Sequence, residues 1–316
     1  MKRIFLTVAL LTMFCAGAKH AFAQGSGVEW YTLNQTVKSL CQKGEYTCAV
    51  VVAKKALELA ETNPGTKDFF VAASLDDLAW LYKSQGRYAL AETLFKRSLT
   101  IREKTLGPDH PEVATSLNNL AALCYAQGDY AQAWPLYERS LAIREKTLGP
   151  DHPDVAQSLN GLALLYVKEG RYGRAETLCR RALAISEKTL GSDHPEVAQC
   201  LHNLAWLYYT QEEYAQAEPL YNLSLAIREK AFGPDHPDVA QSLNSLALLY
   251  GRESRYDQSE LLFKRALAIR EKSLGSGHPD VATTLENFAG LCRATKRGRK
   301  AVAMEKRAAT IRAIVR

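Results

Sequence analysis

The chain has no apolar run long enough to cross a membrane, no glycine-rich phosphate loop, and no Ser-His-Asp or Cys-His grouping that stands out. A membrane span needs about 20 apolar residues, so the first absence excludes a good spanning helix. The other two leave no cradle for a nucleotide and no activated nucleophile. Enzymatic chemistry, a cofactor and a small-molecule substrate therefore have nothing in the sequence to rest on. Net charge is scarce as well. The 316 residues hold 40 Lys and Arg against 34 Asp and Glu. Three of those cations lie in the first 23 residues, so the remainder stands at +3, too little to argue for a nucleic-acid partner across the whole chain.

The longest apolar run, from Ile4 to about Ala18, follows Met1-Lys2-Arg3 and precedes Ala21-Phe22-Ala23. A basic start, a short apolar middle and an A-x-A end describe a cleaved export signal, with an uncleaved anchor as the alternative. The expectation is a signal peptide over 1–23 cut near Ala23, a short segment 24–28, and a periplasmic or secreted mature chain. Beyond Cys15 there are six cysteines. Cys124, Cys179 and Cys292 occupy columns otherwise held by Tyr or Phe and read as small core hydrophobes. Cys200 replaces a Ser. Cys41 and Cys48 flank a turn at Gly44 and are a possible disulfide in an oxidising compartment; sequence leaves that pairing open.

What the chain does have is repetition. The block 113–154 recurs at 155–196, 197–238 and 239–280, a period of 42 residues, and is recognisable at 71–112. A divergent copy, 29–70, begins the array, and a truncated capping copy, 281–316, ends it. A period of this length marks stacked supersecondary units. In the copy at 71–112, Leu75, Leu78, Ala79 and Tyr82 share one helical face, and Tyr88, Ala91, Leu94, Phe95, Leu99 and Ile101 share another. Gly86 separates the two helices and Gly107-Pro108 stops the second. Each copy thus reads as a helical hairpin, and the chain as an all-α solenoid of seven. The Ala79 column is Ala in every later copy, which lets helix axes approach to roughly 8–10 Å.

With Val71 as zero, Leu75, Leu78, Ala79, Tyr82, Gly86, Tyr88, Ala91, Phe95 and Ser98 resemble the tetratricopeptide repeat signature. The long second helix and the Gly-Pro-Asp-His-Pro-Asp linker resemble the 42-residue variety of kinesin light chains, over 29–316. The resemblance implies a right-handed superhelix of stacked antiparallel hairpins that serves as a binding scaffold, with the first helices lining a concave groove. Groove position five reads Asn34, Asp76, Asn118, Asn160, His202, Asn244 and Glu286. An Asn offers two donors and an acceptor, suited to clamping the backbone of an extended peptide; the competing reading is bonding between neighbouring helices. Trp80, Tyr125, Lys168, Trp206, Tyr209 and Arg252 occupy more variable groove positions and suit a peptide with an apolar side chain beside an acidic one. The expected partner is a peptide segment or partner helix, a second copy of the chain being an alternative occupant.

Three further features have bland and sharp readings. His110, His152, His194, His236 and His278 form a column; at one helix-packing distance apart they cannot share a zinc ion, so the column reads as part of the helix start. The Arg-Glu-Lys run at 102–104, 144–146, 228–230 and 270–272 reads as a solvated face with local ion pairs. From Arg293 to Arg316 there are nine basic residues and one acid. That stretch reads as the outer face of a capping helix, or alternatively as contact with an anionic membrane or nucleic acid.

Overall fold

The structure, a computed structural model, describes residues 27–62 and 68–315. The expected signal 1–23, the segment 24–26, the linker residues Asn63, Pro64 and Gly65, and Arg316 lie outside the described residues. Among the described residues there are fourteen helices and no strand. They are α1 (27–42), α2 (Tyr46–Thr62), α3 (Asp68–Ser84), α4 (Tyr88–Leu106), α5 (Pro111–Gln127), α6 (Tyr130–Leu148) and α7 (Pro153–Lys168). They continue as α8 (Tyr172–Leu190), α9 (Pro195–Thr210), α10 (Tyr214–Phe232), α11 (Pro237–Arg252), α12 (Tyr256–Leu274), α13 (Pro279–Ala294) and α14 (Gly298–Val315). Odd-numbered helices are the first, or A, helices of seven hairpins; even-numbered ones are the B helices. In the last unit α14 has 18 residues where α12 has 19.

Local chemistry sets these boundaries. At the start of α5, α7, α9, α11 and α13, the histidine is the N-cap and Pro is the first helical residue. Its Nδ1 accepts from the backbone N–H two residues on, at 3.0–3.2 Å, satisfying one orphan donor of the first turn. The histidine column is a helix-start column. The hairpin cores follow the alanine and leucine columns: Ala79, Ala121, Ala163, Ala205, Ala247 and Ala289 are all fully buried. A helices also pack on the next A helix, α3 on α5, α5 on α7 and onward, with no comparable packing between successive B helices among the described residues. The array therefore curves with the A helices inside.

The Arg-Glu-Lys run departs from its solvated reading. Arg102, Arg144, Arg228 and Arg270 are buried. Each guanidinium donates to a hydroxyl on the next A helix: Ser116 at 2.6 Å, Ser158 at 2.9 Å, Ser242 at 2.8 Å and Thr284 at 2.7 Å. Each also donates to a first-turn carbonyl, such as Asp154 O at 2.7 Å or Asp280 O at 2.9 Å. A buried guanidinium is tolerated because these acceptors replace its water. Ser116, Ser158 and Ser242, one repeating column, thus have a structural role. In the fourth unit Ser186 stands in the arginine column and the thiol of Cys200 replaces the facing hydroxyl, Oγ and Sγ 3.5 Å apart. The run's Glu and Lys pair across units instead, as in Glu145–Arg181 at 2.8 Å and Lys146–Asp109 at 3.0 Å. These exposed pairs each contribute no more than about 1 kcal/mol.

The coil returns onto itself. Helix α2 packs against α12. The turn of the first unit meets the start of the sixth: His236 Nε2 donates to Cys41 O at 3.2 Å, and a Cβ on Gly44 would lie 3.0 Å from Pro237 Cδ. The turn of the second unit meets the start of the seventh: His278 Nε2 donates to Ser84 O, and a Cβ on Gly86 would lie 2.2 Å from Pro279 Cγ. With Nδ1 accepting the cap and Nε2–H donating to a carbonyl, both histidines are held as one neutral tautomer. His236 and His278 are buried, whereas His110, His152 and His194 are half-buried.

Candidate binding groove

Curvature with the A helices inside creates the groove, and the position-five column forms the layer beneath its surface. Asn34, Asp76, Asn160, His202 and Asn244 are buried, and Asn118 is half-buried. Their polar atoms are directed at neighbouring helices. Asn34 Nδ2 donates to Asp77 at 2.5 Å, Asn118 Oδ1 accepts from Ser158 at 3.4 Å, and Asn160 Nδ2 donates to Cys200 Sγ at 3.1 Å. Asn244 Oδ1 accepts from Asn287 at 3.3 Å, and Asp76 pairs with Arg102. His202 lies edge-on to the Tyr221 ring, centroids 5.1 Å apart, with its Nε2 3.5 Å from Ser245 Oγ. Burial, then the Arg228 charge, keeps His202 well below its ordinary value and therefore neutral. Burial, then the Asp76 charge, pushes Asp77 up to about 6. Apart from Asp76, whose partner is on α4, these residues join successive A helices, and the groove wall above them is made by other side chains.

That wall divides in two. Trp206 and Tyr209 stack with centroids 5.5 Å apart, and the Tyr209 hydroxyl lies 3.4 Å from Arg252 Nε. Beside them, between α9, α11 and α13, is a hollow of about 360 Å³. Leu248, Leu291 and Phe263 contribute its apolar lining, with Arg252 and Glu286 at its edge. It exists because Gly251 and Gly290 stand where other copies carry larger side chains: a Cβ on Gly290 would meet nothing within 4 Å. Glu286 is paired with Arg312 at 3.0 Å, which leaves Arg252 as the cation at the hollow bonded only to a hydroxyl.

The other expected groove residues do not line this hollow. Trp80 sits edge-on to Tyr46, centroids 5.6 Å apart, near the second turn. Tyr125 lies 5.3 Å from the Tyr130 ring, and Lys168 Nζ lies 6.0 Å above that same ring. They form a separate group at the turn between α5 and α6. Cys41 and Cys48 are free thiols rather than a disulfide. Cys41 is half-buried against the sixth unit, its thiol pushed up to about 11 by burial and by Asp77, while Cys48 is exposed on α2. The basic carboxyl-terminal helix is largely neutralised: Arg297 and Lys300 share Glu260, Arg307 pairs with Glu271 at 2.6 Å, and Arg293 pairs with Glu305 at 2.6 Å. Lys296, Arg299 and Lys306 remain exposed. No helix among the described residues is long and apolar enough to cross a membrane.

A family model for the tetratricopeptide repeat matches residues 32–104, 83–146, 127–178, 154–230, 211–272 and 238–313. No curated protein matches the chain significantly. Among solved structures, the nearly identical TPR-like repeats of a kinesin-light-chain-type protein from Podosopora anserina are 31% identical, covering 64% of this chain and 95% of theirs, with a TM-score of 0.46. The Rap conjugation gene regulator of plasmid pLS20, solved in complex with the Phr* peptide, is 17% identical, covering 91% of this chain and 74% of its own, at a TM-score of 0.73. Aspartyl phosphate phosphatase F from Bacillus subtilis is 15% identical over 92% of this chain and 72% of its own, at 0.62. The last two share the fold.

Proposed function

The chain belongs to the tetratricopeptide repeat family, and we propose that it is a noncatalytic scaffold that holds a peptide segment of a partner protein in its inner groove. The observation that carries this reading is the hollow at Gly251 and Gly290, apolar within and bordered by Arg252. An apolar side chain of the peptide fills the hollow, and a neighbouring Asp or Glu meets the Arg252 guanidinium in a charge-assisted hydrogen bond. Trp206 and Tyr209 supply the rigid aromatic surface on which recognition commonly centres. Asn118, Asn160 and Asn244 then act from beneath, fixing the spacing of the A helices. The pLS20 regulator, with its peptide, supports the reading at the level of fold. The basic start, short apolar run and A-x-A end of the first 23 residues support a scaffold that works after export, in the periplasm or secreted. The paired state of the carboxyl-terminal cations favours this reading over an electrostatic adaptor.

Panning a random peptide library against the mature chain tests it. The selected peptides are expected to carry an apolar residue beside an acidic one. Combined Trp206→Ala and Tyr209→Ala should weaken them by about tenfold or more without unfolding the protein, and Arg252→Glu should turn the acidic preference basic. Peptides with no acidic bias, or undiminished affinity in the aromatic double variant, would remove the basis of the reading.

A further inference from the structure

A second surface, separate from the inner groove, is built where one copy breaks a ladder that its neighbours keep. Glu92, Glu176, Glu218 and Glu260 form a B-helix column, and in the third unit the same position is Trp134. Where the following turn carries arginine, that Glu pairs with it: Glu218 with Arg255 at 2.9 Å and Glu260 with Arg297 at 2.5 Å. The turn after the third unit also carries arginine, Arg171, but Trp134 stands where its carboxylate would be. Like Arg255 over Tyr250, the Arg171 guanidinium lies over the Tyr166 ring, 4.9 Å from its centroid, but the carboxylate it reaches is only Glu169, two residues along, at 3.3 Å. Trp134 meets the same Tyr166 ring edge-on at 4.8 Å, and Arg174 is 5.8 Å from it.

Around this group the surface is concave. A hollow of about 800 Å³ lies among Tyr130, Trp134, Tyr166, Lys168 and Arg171. A second, of about 530 Å³ between α6 and α8, shares Tyr166 and Arg174 and is opened by Gly173, where the second, third and fifth units have Ala. The position explains why the chain leaves it open. Around the first two turns Val50 likewise replaces the Glu, and Arg87 lies over Tyr82 at 4.7 Å. There the coil's next turn packs on Gly44 and Gly86. At the third and fourth turns, a Cβ on Gly128 or Gly170 would meet nothing within 4 Å.

We propose that this surface docks an acidic segment of another protein, with one carboxylate on Arg171 and an adjoining apolar side chain against Trp134 and Tyr166. The in-chain precedent supplies the same chemistry, a glutamate opposite the turn arginine, as Glu218 is to Arg255 and Glu260 to Arg297. Arg171, Arg174 and Lys168 give the surface its positive sign, and Trp, Tyr and Arg are the residues on which protein interfaces concentrate their affinity. Glu138 and Glu169 on its rim disfavour a polyphosphate strand and leave room for a single carboxylate.

The test uses a fluorescein-labelled peptide of alternating Glu and Leu, with a labelled oligothymidine as the competing class, and reads anisotropy on the full chain. Every protein in the comparison carries Gly290→Leu, which fills the inner hollow so that binding reports on this surface alone, and this parent is expected to bind the peptide more tightly than the oligothymidine. Arg171→Glu should weaken the peptide by about tenfold, the loss of one charged hydrogen bond. Trp134→Glu restores the ladder's own Glu–Arg pair. It should weaken the peptide as much while folding as well as the parent by thermal unfolding. Equal peptide binding by the Gly290→Leu parent and its Arg171→Glu and Trp134→Glu derivatives would overturn the proposal. So would no binding by that parent, or an oligothymidine bound as tightly as the peptide.

Discussion

Gly86 and Gly290 lie in the same kind of unit and do opposite things with a missing side chain. At Gly86, the turn of the second unit, Pro279 occupies the space, and a Cβ there would lie 2.2 Å from its Cγ. At Gly290, on the inner face of the seventh unit, a Cβ would meet nothing within 4 Å, and the space joins the groove hollow. Near-identical repeats thus use a small residue either to let the chain pack on itself or to leave room for something else. The choice is made by the winding of the coil, since the turns of units three and four carry the same glycine with nothing against it.

Adding one methyl group at each place breaks the comparison most sharply. Gly86→Ala must hold a left-handed φ of +73° and displace Pro279, together costing about 2–5 kcal/mol. Gly128→Ala, at a φ of +83° in open space, should cost only about 1–2 kcal/mol. Urea unfolding of the two variants measures the difference, and equal losses would mean that the coil does not close. Next in size is Gly161→Ala, whose Cβ would lie 2.2 Å from the Tyr137 ring. It should cost about 1–3 kcal/mol at an ordinary helical φ, isolating packing from backbone strain.

Smaller effects separate a closed turn from an open one. His152→Ala removes a helix cap, about 1 kcal/mol. His278→Ala removes a cap and the contact to Ser84 O, about 1 kcal/mol more. Burial, against the opposing Asp280 charge, holds His278 below its ordinary 6.5. The unfolded chain therefore takes up that proton first. The stabilisation is full above pH 6.5 and is lost as pH falls through the folded value. His278→Asn keeps a capping side chain, so its stability should fall less than wild type's between pH 6.5 and pH 5. Parallel acid limbs in the two proteins would contradict the buried, neutral histidine.

Much of this architecture was legible in one dimension. The 42-residue period, the Ala79 column and the His-Pro helix starts are local features, and local structure obeyed them. What the sequence hid depends on distant partners. Arg144 reads as surface because its acceptors, Asp154 O and Ser158 Oγ, come from the next unit. The meeting of Gly86 with Pro279 spans 193 positions and follows from pitch alone. The Asn column was read as possible ligand contacts or inter-helix bonds, and Asn160 and Asn244 make inter-helix bonds. The hollow was missed because a glycine within a helix reads as a weak helix former, and its emptiness appears only when Tyr209, Leu248 and Leu291 are placed around it.

The most direct test of the account is Gly290→Leu, with stability and peptide binding measured on the same preparation. A glycine inside α13 is replaced by a better helix former in open space, so unfolding should be unchanged or raised by about 1 kcal/mol. Binding of peptides selected on the wild-type groove should be lost. Full peptide affinity in this well-folded variant would show that the space beside Gly290 is not where the partner sits.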